Sequence, residues 1–209
     1  CSKECQKADW KNHKTICQNN GLLESHLKEH ENTLSGLMDC MVLVDGISMY
    51  ELDQQLEKWV RFHNSTLMAV MIQALRLPAD LGRARTHLLY VALEAHGAEA
   101  PEGQAGKFFR VRDAYVVPVD EALRKPTPWP ESIAQLHGMA DKMERGGHGT
   151  VMAVMIECPP LAVQTVPFGS MTERALKKEV LHDTWKSFFI IHIEQGIRPK
   201  LAHSRPGGH

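Results

Sequence analysis

The sequence contains no apolar run approaching the ~20 residues a helix needs to cross a bilayer, and no signal peptide is visible at its start. A membrane partner is therefore not expected. Net charge is almost absent: 24 Lys and Arg stand against 25 Asp and Glu, a formal -1. No global basic field advertises nucleic acid, which is not expected as a partner either. Cysteine is scarce and odd in number, 5 in all, and only Cys40 and Cys158 lie beyond residue 17. That usage argues against a disulfide scaffold and for a reducing, intracellular compartment, cytoplasm or nucleus. The common catalytic signatures are missing too: no G-x-S-x-G elbow and no H-E-x-x-H. Gly147-His148-Gly149 precedes an apolar run, whereas a phosphate loop needs a strand, then glycines, then a helix. Cys158 beside Pro159 is read as a buried structural thiol rather than a nucleophile. No catalytic residue is assigned, and no internal repeat is evident.

What is present begins at the first residue. Cys1 and Cys5 form C-x3-C, and His13 and Cys17 form H-x3-C. Thiolate and imidazole are the preferred ligands of structural zinc. Residues four apart share a helix face, so each pair can grip one ion. Lys3, Lys7 and Lys14 surround the thiols, and nearby positive charge favours thiolate over thiol. As three Cys and one His the set suits one closed tetrahedral site. If 5–13 is helical, however, its two halves stand about 12 Å apart along the axis, and a shared ion then requires a break in the helix.

Cys1, Ser2, Cys5, Gln6, Asp9, Trp10, His13, Lys14 and Cys17 together fit C-S-x2-C-Q-x2-D-W-x2-H-K-x2-C. This stretch resembles the C-terminal half of a MYND zinc finger. The resemblance implies zinc as the cofactor and Cys1, Cys5, His13 and Cys17 as its ligands, divided between two interleaved sites. It also implies two further ligand pairs ahead of Cys1, so the chain, which begins without Met, is expected to be a fragment. MYND fingers capture proline-rich peptides, and by resemblance Gln6 and Trp10 would face the peptide. Their spacing agrees, since residues four apart lie on one helix face and an indole can stack on a proline ring. The alternative is that Trp10 packs the core of the finger. Some MYND proteins carry a methyltransferase SET domain, but neither its N-H-S-C motif nor its closing Tyr motif follows Cys17.

The 209 residues, 43% hydrophobic and 23% charged, suit one globular domain with a small appendage. The expected divisions are a partial finger at 1–17, a helical linker at 18–50, an α+β domain at 51–195 and a disordered tail at 196–209. In the linker, His26 and His30 stand four apart, a spacing that suits a metal pair or a solvated face, and the second is expected. A short helix follows a cap at Thr33 or Ser35. From Glu51 to Leu77 an apolar stripe through Leu56, Trp59 and His63 predicts one long helix, or two if Asn64 or Ser65 caps a second, stopped by Pro78. His63 is expected in the core with a hydrogen-bond partner.

His87–Glu94 and Thr150–Cys158 are near-continuous apolar runs, as in strands buried on both faces. Phe108–Val117 alternates as a strand whose wet face carries Arg110 and Arg112, and Leu161–Val166 closes an antiparallel hairpin. Asp120–Arg124 suggests one helical turn, and Pro126, Pro128 and Pro130 around Trp129 an extended connector. Helices are expected at Glu131–Arg145 and, as one long element with Leu181, Trp185, Phe188, Phe189 and His192 inward, at 172–195. The fold class is α+β, a mainly antiparallel sheet with helices on one face. This part resembles, at Leu56-Glu57-Lys58-Trp59, Phe62-His63 and Glu157-Cys158-Pro159-Pro160, the C-terminal region of basidiomycete fungal MYND proteins. Two functions follow as expectations: a non-enzymatic module that captures proline-rich partners, or an enzyme or small-ligand domain in 51–195 with the finger as its targeting label. A filled core favours the first, and a deep pocket with converging polar groups the second.

Overall fold

The structure, a computed structural model, describes residues 22, 24–43, 46–96, 105–161 and 163–197. It separates into two compact units, Cys1–Gln54 and Gln55–His209.

In the first unit, helix α1 (24–31) turns sharply into α2 (Leu34–Val42). Thr33 makes the turn: its hydroxyl donates to the His30 carbonyl at 2.7 Å and accepts from the Gly36 N–H at 3.0 Å. This is the expected N-cap, satisfying one of the free donors of a helix start. Gly36 allows the approach, because a Cβ there would stand 2.0 Å from the His30 carbonyl oxygen. The apolar residues Leu34, Leu37, Met38 and Met41 fall on one side of α2 and are exposed, from 59% to 87%.

The boundary between the units falls within α3 (Met49–Ala74), a single uninterrupted helix. Neither Asn64 nor Ser65 caps a second one. Leu56, Trp59, His63, Leu67, Val70, Met71 and Ala74 form its buried stripe. Its end comes before Pro78. The Arg76 N–H bonds the Gln73 carbonyl at 3.0 Å and the Leu77 N–H bonds the Ile72 carbonyl at 3.1 Å. These are the paired bonds of a Schellman stop, with Arg76 at φ 54° in the left-handed position that glycine usually fills.

After the short α4 (Arg83–Thr86) come β1 (His87–Ala95) and β2 (Phe109–Pro118), then α5 (Val119–Ala122), α6 (Trp129–Arg145), β3 (Thr150–Glu157), β4 (Gln164–Met171), α7 (Glu173–Leu176) and α8 (Trp185–Glu194). The four strands form one sheet in the order β2-β1-β3-β4. Both hairpins, β1–β2 and β3–β4, are antiparallel, and the central β1–β3 pair is parallel. The domain is α+β with a mainly antiparallel sheet, as the sequence implies. A parallel central pair explains the two continuous apolar runs, since six successive residues of β1 and seven of β3 are buried.

Helices lie on both faces, not one. Leu88, Tyr90, Ala92, Val151, Ala153 and Met155 meet Trp129, Ile133, Leu136 and Ala140 of α6 in one cluster. The alternate residues Leu89, Val91, Leu93, Val154 and Ile156 are also buried. On that face Phe109 meets Trp59 of α3 edge-on, ring centroids 6.2 Å apart. A bulge between Ala92 and Leu93 reverses the alternation of β2. Phe109 therefore faces α3, while Val117 joins the α6 cluster. Helix α8 packs against β2, buries Phe189 and Ile193, and is pinned at the strand by Lys186 to Asp113, 2.7 Å.

Three further boundaries differ from expectation. Trp129 and Pro130 open α6 rather than extending a connector; proline suits the first helical turn, where its missing N–H costs nothing. The second hairpin strand runs from Gln164 to Met171, later and longer than 161–166. The expected helix over 172–195 is two: Thr172 caps α7 by accepting from the Ala175 N–H, and 177–184 is non-helical before α8. Of the residues expected inward there, Phe189 is fully buried, whereas Phe188 is 42% exposed. The tail beyond residue 197 lies outside the described residues.

Two glycines separate backbone need from helix cost. Gly149, at φ 84°, would place a Cβ 2.3 Å from the Met171 carbonyl oxygen, while Gly138 in α6 has nothing within 4 Å. Gly149→Ala is expected to lower unfolding free energy by about 2 kcal/mol or more, and Gly138→Ala to raise it by about 0.5–1 kcal/mol. Urea unfolding of the two variants checks the contrast.

Candidate functional site

Cys1, Cys5, Gln6, Trp10, His13 and Cys17 lie outside the described residues. Among the described residues no group of three or more His, Cys, Asp or Glu side chains is placed to hold a metal ion. His26 is exposed. His30 is engaged elsewhere, its Nε2 2.7 Å from the Asp39 carboxylate. His26 is thus the solvated member of the pair, while His30 is half-buried and joins α1 to α2.

The other histidine and cysteine singled out by sequence are core residues. His63 is fully buried, with Nε2 2.8 Å from the Gly106 carbonyl oxygen. A carbonyl only accepts, so this nitrogen carries the proton. The ring rests between Trp59 and Phe62, centroids 4.9 and 4.8 Å away. Burial holds its pKa below the ordinary imidazole value and His192 lowers it further, while the Gly106 bond acts the other way. Cys158 is 1% exposed, and burial pushes its thiol up to about 11, which disfavours the nucleophilic thiolate. Arg110 forks onto Glu94 across the hairpin, at 3.1 and 2.9 Å, on the solvated strand face.

Trp129 has a structural task that the neighbouring prolines conceal in the sequence. Its ring stacks on Tyr90 at 5.8 Å, Tyr90 meets Tyr115 at 4.9 Å, and the Lys125 ammonium sits 4.7 Å from the Trp129 ring centre. Tyr90 donates its hydroxyl to Glu157; burial first, then that bond, hold the phenol well above its usual range. This cluster is closed by its own lysine and anchors α6 to the sheet.

The space between α6 and the sheet amounts to about 10 Å³, too little for a ligand. A cleft of about 340 Å³ opens instead between the second half of α3 and the non-helical stretch before α8. Met68, Ala69, Ile72, Trp185 and Phe188 give it apolar walls, and Ser65, Gln73, Glu179, His182 and Thr184 add polar groups. Its far wall is held in place. The Gln73 amide donates to the Val180 carbonyl at 3.0 Å and accepts from the His182 N–H at 2.8 Å, and Arg76 binds Asp183 at 2.8 Å. Sequence reasoning missed this site because it extended one helix through the wall. The available signal was Thr184, a helix-starting residue type directly before the apolar run of α8.

No family model, no curated protein and no solved structure matches the chain. Among the described residues no helix is long and apolar enough to cross a membrane.

The lowered pKa of His63 sets a direction for pH dependence. The unfolded chain takes up a proton near the free imidazole value, about 6.5, more readily than the folded one does. The stability contributed by the neutral ring is thus complete above that value, is lost as pH falls through the native pKa, and levels off below it. His63→Gln keeps a donor for the Gly106 carbonyl without the titration. Its urea midpoint is expected to fall less than that of the wild type between about pH 7.5 and 5; equal slopes would remove His63 as a cause.

Proposed function

We propose that the amino-terminal residues form a zinc-held, MYND-type docking module for proline-rich peptides, attached to the α+β domain. The observation that carries this is the ligand pattern: Cys1 and Cys5, then His13 and Cys17, with Gln6, Asp9, Trp10 and Lys14 each at its signature position. Each pair, Cys1 with Cys5 and His13 with Cys17, supplies thiolate or imidazole donors of the kind that tetrahedral structural zinc takes. When bound, zinc supplies no reaction chemistry here; it cross-links a segment with too few apolar residues to build its own core. Gln6 and Trp10 offer the peptide an amide for hydrogen bonding and an indole face for a proline ring.

Two features of the described residues support docking rather than catalysis by the first unit. The same unit carries the exposed stripe Leu34, Leu37, Met38 and Met41, and such apolar surface is characteristic of interaction sites. The second unit's sheet is packed on both faces, so the domain stands as a scaffold without a ligand between its layers. The odd cysteine count fits the same picture of a reducing, intracellular setting.

The test is titration of the 209-residue chain with a labelled proline-rich peptide. Weak but saturable binding is expected, and Trp10→Ala should weaken it further, at least about tenfold, the cost of losing an aromatic anchor. A zinc chelator should abolish it. Affinity unchanged by Trp10→Ala would dismiss the site.

A further inference from the structure

The cleft between α3 and the 177–188 stretch has properties that the scaffold does not require. Its volume, about 340 Å³, lies within the range of small-molecule sites, roughly 300–1,000 Å³. It is preformed, because Gln73 and Arg76 tie the far wall to α3 through three hydrogen bonds. Preformed walls spare a ligand the entropy of ordering them. Gln73 spends both ends of its amide on that task. By contrast, the Ser65 and Thr184 hydroxyls, the Trp185 indole N–H and the His182 ring make no hydrogen bond to any described residue. His182 and Thr184 are exposed and Ser65 and Trp185 half-buried, so a ligand entering the apolar cleft would meet polar groups with hydrogen bonds to offer.

Charge narrows the ligand. Glu179 is the one carboxylate in the lining, and no lysine or arginine lines the cleft. Among the described residues no cation pairs with Glu179, whereas Asp183 is paired with Arg76 at 2.8 Å. The walls are aromatic and aliphatic, with Trp185 and Phe188 contributed by α8 and Met68 and Ile72 by α3, a lining that suits an apolar body. We propose that this cleft binds a small amphiphile with an apolar, ring-sized body and a cationic amine head, the amine directed to Glu179 and the body between α3 and α8. This site is independent of the zinc-held segment, so its failure leaves the docking proposal standing, and the reverse also holds.

Calorimetric titration of the full 209-residue chain with naphthylethylamine, and with naphthylacetate as the oppositely charged analogue, tests it. The amine is expected to bind saturably with a Kd on the order of 100 μM, and the carboxylate at least about tenfold more weakly. Glu179→Gln should weaken the amine by about threefold to fivefold, the effect of a solvent-accessible ion pair. Ala69→Trp, an exposed helix position on the cleft wall, should abolish binding of the amine while circular dichroism stays unchanged. Absence of saturable amine binding, equal binding of both probes, indifference to Glu179→Gln, or binding that survives Ala69→Trp would each overturn the assignment.

Discussion

Strand β1 is the element that the second unit is built around. It is hydrogen-bonded on both edges, antiparallel to β2 and parallel to β3. Its side chains alternate between two cores. Leu88, Tyr90 and Ala92 meet α6, and Leu89, Val91 and Leu93 fill the face on which α3 lies. No residue in its centre has a wet side, so a polar substitution there would bury an unpaired group whichever way it pointed. The same constraint fixes register, because a slip by one residue would exchange the two cores. Everything that positions the candidate cleft follows from it: α3 is held on one face through Trp59 and Phe109, and α8 is laid against the neighbouring β2.

Much of this was legible in the sequence, and the misses have specific causes. The runs at 87–94 and 150–158 announced strands covered on both sides, and that alone should have placed helices on both faces. A sheet covered on one face only is incompatible with strands whose successive side chains are all apolar. Trp129 sat among three prolines, which favour extended chain, yet Pro130 occupies the helical turn that tolerates it and Trp129 stacks on Tyr90. Periodicity alone could not reveal the break between α7 and α8, because Leu181, Trp185 and Phe188 keep helical spacing across it while the chain between them is pinned to Gln73. Arg76 in a left-handed stop was equally hidden, glycine being the usual sign. The candidate metal and peptide residues stand apart from this comparison, as all six lie outside the described residues.

The two proposed sites use different chemistry and different units. For the amino-terminal segment the proposal rests on soft donors four residues apart and few apolar residues, a composition suited to folding around an ion rather than a core. The α+β unit offers the reverse: close packing on both faces of a sheet, a neutral buried histidine, an inert thiol, and one cleft left open at its outer helices. Neither needs the other's chemistry to work.

The account rests first on zinc. Elemental analysis of the chain purified under reducing conditions and supplied with zinc, then dialysed, gives the most direct measurement, alongside a Cys5→Ala/His13→Ala double variant and a Cys40→Ser control. The account predicts zinc retained by the chain and by the control and lost from the double variant. A chain that emerges free of zinc, or a double variant that keeps as much as the wild type, would contradict it.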